Sequence, residues 1–102
     1  MTAIGEARKV LVKRILEGEG KASPSERRAA FHKRDLAEPL GSLVDKIVMQ
    51  PNAVTEEDIN AAKASGFSED QVFEIAVCAA IGQATRQYDA AISALEAATR
   101  KD

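Results

Sequence analysis

The sequence predicts an all-α domain, and three observations carry that prediction. Helix-start signals stand ahead of alanine-rich segments at Ser23-Pro-Ser-Glu26, Thr55-Glu-Glu-Asp58 and Ser68-Glu-Asp-Gln71. Apolar residues recur three and four apart, and no stretch alternates Val, Ile, Thr and aromatics in the manner of a strand. Apolar residues make up 45% of the chain but aromatics only 4%, with no Trp, a composition suited to close helix packing. At 102 residues the chain is one domain, and 29% charged residues beside that apolar content exclude global disorder.

The first helix is expected over residues 3 to 17, with Ile4, Ala7, Val10, Leu11 and Ile15 or Leu16 on one side. Gly18-Glu-Gly20 stops it, because glycine is the usual residue beyond a C-cap. Ser23 then serves as N-cap, Pro24 takes the first helical position and Glu26 completes a capping box. This second helix is expected to reach about Arg34, and its thin face of Ala29, Ala30 and Phe31 requires tertiary contacts. A third helix follows Pro39, with Leu40, Leu43, Val44, Ile47 and Val48 inward and Asp45 and Lys46 outward, until Pro51-Asn52 end it. Thr55 caps a short fourth helix whose three first-turn acids suit the macrodipole, and Ser65-Gly66 closes it.

From Glu69 to about Thr99 the sequence predicts one long helix, roughly 45 Å at 1.5 Å per residue. No proline interrupts it, and Gly82 is the one weak helix former in its middle. Phe73, Val77, Ala80, Ile81, Ala84, Tyr88, Ile92 and Leu95 trace one apolar face, widened by Val72, Ile75, Ala76 and Ala79 in the first half. The other side runs Glu74, Cys78, Gly82, Thr85, Arg86, Asp89, Ser93 and Glu96. On that side the small residues Cys78 and Gly82 leave room for another backbone or a small ligand. Such a helix has too few partner residues in one short chain, so a neighbouring subunit is expected to share in wrapping it.

Cys78 is the only cysteine, which excludes an intrachain disulfide, a cysteine-pair redox centre and a multi-cysteine zinc site in one chain. His32, the only histidine, stands in Phe-His-Lys-Arg, where cations suit a helix end, and has no nucleophile or carboxylate at a telling spacing. No phosphate loop, zinc-protease or serine-triad motif occurs, so neither a metal nor a cofactor is expected. Residues 1–35 hold nine of the fourteen Lys and Arg against five acids, a balance of +4, while residues 36–102 balance at −6. The basic half lacks an aromatic platform and is interleaved with Glu6, Glu17, Glu19 and Glu26, so a nucleic-acid-binding adaptor is a third and weaker reading, and docking on the acidic half of the same or another chain explains the asymmetry as well. With no signal-like start and no span of 18 apolar residues, no membrane partner is expected, and the expected location is cytoplasmic.

From Val54 onward, a short capped helix, then Ala-Ser-Gly-Phe-Ser-Glu-Asp-Gln-Val-Phe-Glu, then a long Ala-rich helix resembles the carboxymuconolactone decarboxylase and alkylhydroperoxidase D-like family. The resemblance covers roughly residues 36 to 98, densest from Lys63 to Gly82, and treats residues 1 to 35 as basic helices added to a family-like core. It implies a helical domain of about five helices and assembly into homo-trimers or hexamers. The family's peroxidase motif, Cys-x-x-Cys-x-x-x-His, would fall on Pro51, Val54 and Asp58, and none of the three matches. The accompanying Glu would fall near Pro39, with Glu38 one residue out of register. The resemblance therefore implies a member without thiol peroxidase activity, acting as a small-ligand-binding or structural protein. A second reading is a non-redox enzyme, of decarboxylase or lactone type, with an intersubunit pocket. There Glu74 and Arg86 are the candidate catalytic residues, and Cys78, Gln83 and Tyr88 the candidate ligand contacts.

Overall fold

The three expected capping boxes are built from the hydrogen bonds that their sequences imply. Ser23 accepts from the Glu26 amide and Glu26 accepts from the Ser23 amide, and Thr55 with Asp58 repeats the arrangement. Ser68 Oγ accepts from the Gln71 amide at 3.1 Å while Gln71 Oε1 accepts from the Ser68 amide at 2.8 Å. The computed structural model describes residues 2–100, with side chains described from Gly5 onward. Within them lie α1 (Thr2–Glu17), α2 (Pro24–His32), α3 (Leu40–Met49), a 3-10 turn (Pro51–Ala53), α4 (Glu56–Ala64) and α5 (Glu69–Arg100). No strand occurs among the described residues. The chain is all-α, with one long C-terminal helix.

α2 stops at His32, two residues short of the expected Arg34. Lys33 turns into the left-handed region at φ 56°, and the Lys33 and Arg34 amides donate to Ala30 O at 3.2 Å and Ala29 O at 3.0 Å. These two bonds close the last turn as a Schellman motif. Gly66, at φ +105°, ends α4 in the same way, with the Phe67 amide donating to Ala62 O at 3.3 Å. Here the conformation does call for glycine.

The core forms where α2 and α3 lie against the first half of α5. Leu43, Val44, Ile75 and Cys78 are its largest fully enclosed side chains, and Ala30, Ala62 and Ala79 are fully enclosed as well. In α3 the expected stripe holds, with Leu40, Leu43 and Val44 buried and Ile47 and Val48 packed at the edge. Lys46 departs from expectation. It turns toward α4, where its Nζ lies 3.0 Å from both Asp58 carboxylate oxygens.

The largest correction concerns α5. Phe73 is 68% exposed and Leu95 60%, Ala80 and Ala84 are exposed, and Val77, Ile81, Tyr88 and Ile92 are half-buried. Val72, Ile75, Cys78, Ala79 and Gly82 instead face the core. The reason is backbone proximity, which outweighs side-chain size in choosing the inner face. A Cβ on Gly82 would overlap the carbonyl oxygen of Phe31 and come within 2.9 Å of its Cα. Glycine at that position lets α2 seat directly on α5, as the small-residue side of the helix suggested.

α1 is corrected in the same sense. Its packing side is Arg8, Val12, Ile15 and Leu16, whereas Ala7, Val10 and Leu11 are exposed. Ile4 lies outside the residues whose side chains are described. The Arg8 guanidinium sits 5.0 Å from the Tyr88 ring centroid and 3.2 Å from the Asp89 carboxylate, fixing which side of α1 meets α5. With Lys33 3.9 Å from Asp45, these pairs are contacts of the basic half with the acidic half. The described chain measures 56 × 29 × 20 Å, with a radius of gyration of 15.6 Å. A compact domain of this length has about 13 Å, and the excess comes from the end of α5, where residues 93–100 are all exposed. No helix among the described residues is long and apolar enough to cross a membrane.

Candidate functional site

A cleft of about 200 Å³ opens between α1, the start of α2 and α5. Ile15, Phe73, Val77 and Cys78 form its apolar wall, and Arg14, Glu19, Arg27 and Glu74 supply its charged groups. Helical spacing places Phe73, Glu74, Val77 and Cys78 on adjacent turns of α5, and α1 ends opposite them at Arg14 and Ile15.

Arg27 is the buried charge of this site, only 5% exposed. It shares the inner face of α2 with Ala30 and Phe31, three and four residues on. Its Nη1 donates to the carbonyls of Gly18 at 2.7 Å and Ile15 at 3.1 Å, satisfying the end of α1 and placing a cation where the helix dipole favours one. Its Nε is buried without a hydrogen-bond partner. A buried donor in that condition is destabilising, and the Arg27 side chain also lines the cleft.

Glu74 sits beside it. Oε1 accepts from the amides of Lys21 and Ala22, each at 2.8 Å, and Oε2 accepts from Lys21 at 2.9 Å. Burial pushes this carboxyl up, but the two amides and the nearby Arg27 and Lys21 charges outweigh it, and the group is held below its ordinary value of 4.5. Cys78 goes the other way. Burial pushes its thiol up to about 11, Arg27 offsetting part of the rise and Glu74 adding to it, so at neutral pH it is a protonated thiol and a poor nucleophile. Its Sγ lies 3.8 Å from Ile15 O.

Arg86 belongs to a different part of the molecule. Twelve residues beyond Glu74, about 18 Å along the helix, its Nη1 donates to Phe31 O at 2.7 Å and its Nη2 to Gln83 Oε1 at 3.1 Å. Glu74 therefore binds amides ahead of α2 and Arg86 binds a carbonyl in its last turn. α2 runs parallel to α5 between an acid at its positive end and a base at its negative end, which is the arrangement the macrodipole favours. Of the sequence-derived candidates, Glu74 and Cys78 share the cleft. Arg86 and Gln83 pair at the far end of α2, and Tyr88 lies under Arg8.

At the positions matching the family's redox motif, Pro51 opens the 3-10 turn, Val54 is half-buried and Asp58 caps α4. The Thr55 amide at 2.9 Å and Lys46 hold the Asp58 carboxyl below its ordinary value. His32 is exposed, its ring edge-on to Phe31 at 5.1 Å between centroids. Among the described residues no three His, Cys, Asp or Glu converge as a metal site would require. Arg27 is the site residue that sequence reasoning passed over, although its spacing to Ala30 and Phe31 placed it on the buried face. Compared with protein-family models, curated proteins and solved structures, the chain matches none.

Proposed function

We propose that the chain is a homo-oligomeric protein of the carboxymuconolactone decarboxylase and alkylhydroperoxidase D-like type, without thiol peroxidase activity. It holds a small acceptor-bearing apolar molecule in the cleft between α1, α2 and α5. The family part of this reading rests on the resemblance from Val54 onward. The ligand part rests on one observation, an apolar wall of Ile15, Phe73, Val77 and Cys78 edged by the Arg14 and Arg27 cations.

Both oxygens of Glu74 already accept backbone amides, so the cleft has donors to spare and favours an acceptor. Its volume of about 200 Å³ suits a single-ring molecule, since a 150 Å³ apolar cavity admits benzene. A small aromatic carboxylate, oriented with its carboxylate toward Arg27 and Arg14 and its ring on Phe73 and Val77, meets both requirements. Titration of the 15N-labelled protein with benzoate tests this. Saturable amide shifts confined to residues around Ile15, Phe73 and Cys78 are expected, and none with Arg27→Met. The absence of such shifts at tens of millimolar benzoate overturns the ligand reading.

The enzyme reading, with Glu74 and Arg86 acting together, has less support. Each is engaged with a different end of α2, and one chain keeps them apart.

A further inference from the structure

The outward face of α5 has a regularity that its exposure alone does not require. Phe73, Val77, Ala80, Ala84, Tyr88, Ala91 and Leu95 are spaced 4, 3, 4, 4, 3 and 4 residues apart, the same read in either direction about Ala84. At about 100° per residue all seven lie within about 40° of one line, opposite the face that Ile75 and Gly82 bury. Along α5 itself no charged residue between Phe73 and Leu95 falls within about 60° of that line, and the strip's edge at Val77 and Tyr88 is half-buried, with the Arg8 guanidinium of α1 over the Tyr88 ring. A strip about 33 Å long and 10 Å wide is comparable to the largest apolar patch of a typical soluble domain, and such patches are often functional.

We propose that a second copy of this chain covers the strip, its α5 lying antiparallel to the first with the two Ala84 residues at the crossing. The inference rests on the self-association contained in the function proposed above and gives it a geometry. Three observations select this occupant. First, the palindromic spacing means that the same strip turned end for end presents the same positions, which is what an isologous two-fold interface requires. Second, large residues then face small ones. Tyr88 meets Ala80, Val77 meets Ala91, Phe73 meets Leu95, and Ala84 meets itself where the axes come closest. Third, reversal brings the acidic first turn of one α5, Glu69 and Asp70, beside the last turn of the other, which carries Arg100. A parallel pair would set those acids against each other.

The spacing also fixes the form of the pair. An eleven-residue repeat of 4, 3 and 4 averages 3.67 residues per turn, so the two helices cross nearly straight and do not coil left-handedly. The partner's Leu95 would come to rest on Phe73, at the mouth of the cleft.

Disulfide trapping tests this register. Helix axes about 8–10 Å apart, less two radii of 2.3 Å, leave the facing Ala84 Cα atoms about 3.4–5.4 Å apart, a range that overlaps disulfide geometry. Ala84→Cys, whose helix content is checked by circular dichroism, is expected to become covalent dimer under oxidised glutathione. An equimolar mixture of Phe73→Cys and Leu95→Cys should link Phe73→Cys chains to Leu95→Cys chains at least tenfold faster than either variant links to itself. The unsubstituted chain, with Cys78 enclosed, is the unlinked control. Sedimentation of the same samples separates the two ideas. If the chain is monomeric, self-association and register both fall. If it is oligomeric but Ala84→Cys stays unlinked, or Phe73→Cys links to itself, the antiparallel register alone is overturned.

Discussion

Replacing Gly82 by alanine has opposite consequences depending on whether α2 seats on α5 as described. In an isolated or loosely covered helix the change stabilises by about 1 kcal/mol, because glycine is the poorer helix former. Here the new methyl group would occupy the space of the Phe31 carbonyl, and that obstacle is backbone, which no rotamer change removes. α2 must lift, at an overpacking cost of about 1–3 kcal/mol. Lifting also stretches the bond from Arg86 Nη1 to Phe31 O, now 2.7 Å, and a hydrogen bond from a charged donor is worth about 1.5–3 kcal/mol. Set against the gain in propensity, the net expectation is a loss of roughly 1.5–5 kcal/mol. Urea unfolding followed by far-ultraviolet circular dichroism, with both proteins at one concentration, reads this as a lower midpoint at similar slope. A Gly82→Ala protein as stable as the parent, or more so, would refute the close seating of α2 and with it the assignment of the inner face of α5.

Two further substitutions address the cleft. Glu74→Gln keeps an acceptor for the Lys21 and Ala22 amides but removes its charge, and a loss of about 1–2 kcal/mol is expected at pH 7. Because the folded-state pKa of Glu74 is held below 4.5, the stabilisation is present above that value and disappears as pH falls through the folded pKa. Urea midpoints of the two proteins should therefore converge as pH falls below 4.5, and a gap independent of pH would show that the carboxylate is not the stabilising form. Cys78, enclosed and with its thiol raised to about 11, should stay unmodified by a colorimetric disulfide reagent at pH 7.5 until urea unfolds the chain. Rapid reaction of the native protein would mean that the cleft opens far enough to expose the core side of α5.

Local chemistry was the part of the fold most legible in the sequence. Capping boxes at Ser23, Thr55 and Ser68, the stop at Gly66 and the uninterrupted run to Arg100 all depend on residues a few positions apart, and α2, α4 and α5 start where those signals put them. Which side of α5 faces inward did not follow from the same signals. Both faces are apolar through the first half of the helix, so periodicity favoured the one with larger side chains. The packing is decided fifty residues away, by the Phe31 carbonyl that only Gly82 can accommodate. The opposed charges Glu74 and Arg86 were visible as a pair on one stripe. Their common target, the backbone at the two ends of α2, was not, because nothing in their spacing says that a nine-residue helix will lie between them. Arg27 shows the converse, since its register with Ala30 and Phe31 was readable but an arginine is seldom expected inside.

The most direct test of the account is sedimentation equilibrium of the untagged protein at micromolar concentration. α5 is described as two-sided, one face holding its own α2 and the other carrying the apolar strip that a second copy covers. The predicted result is a species of at least twice the chain mass of 10.9 kDa, which Ala84→Arg shifts back toward the mass of a single chain. A parent chain that stays at 10.9 kDa across the concentration range would contradict it.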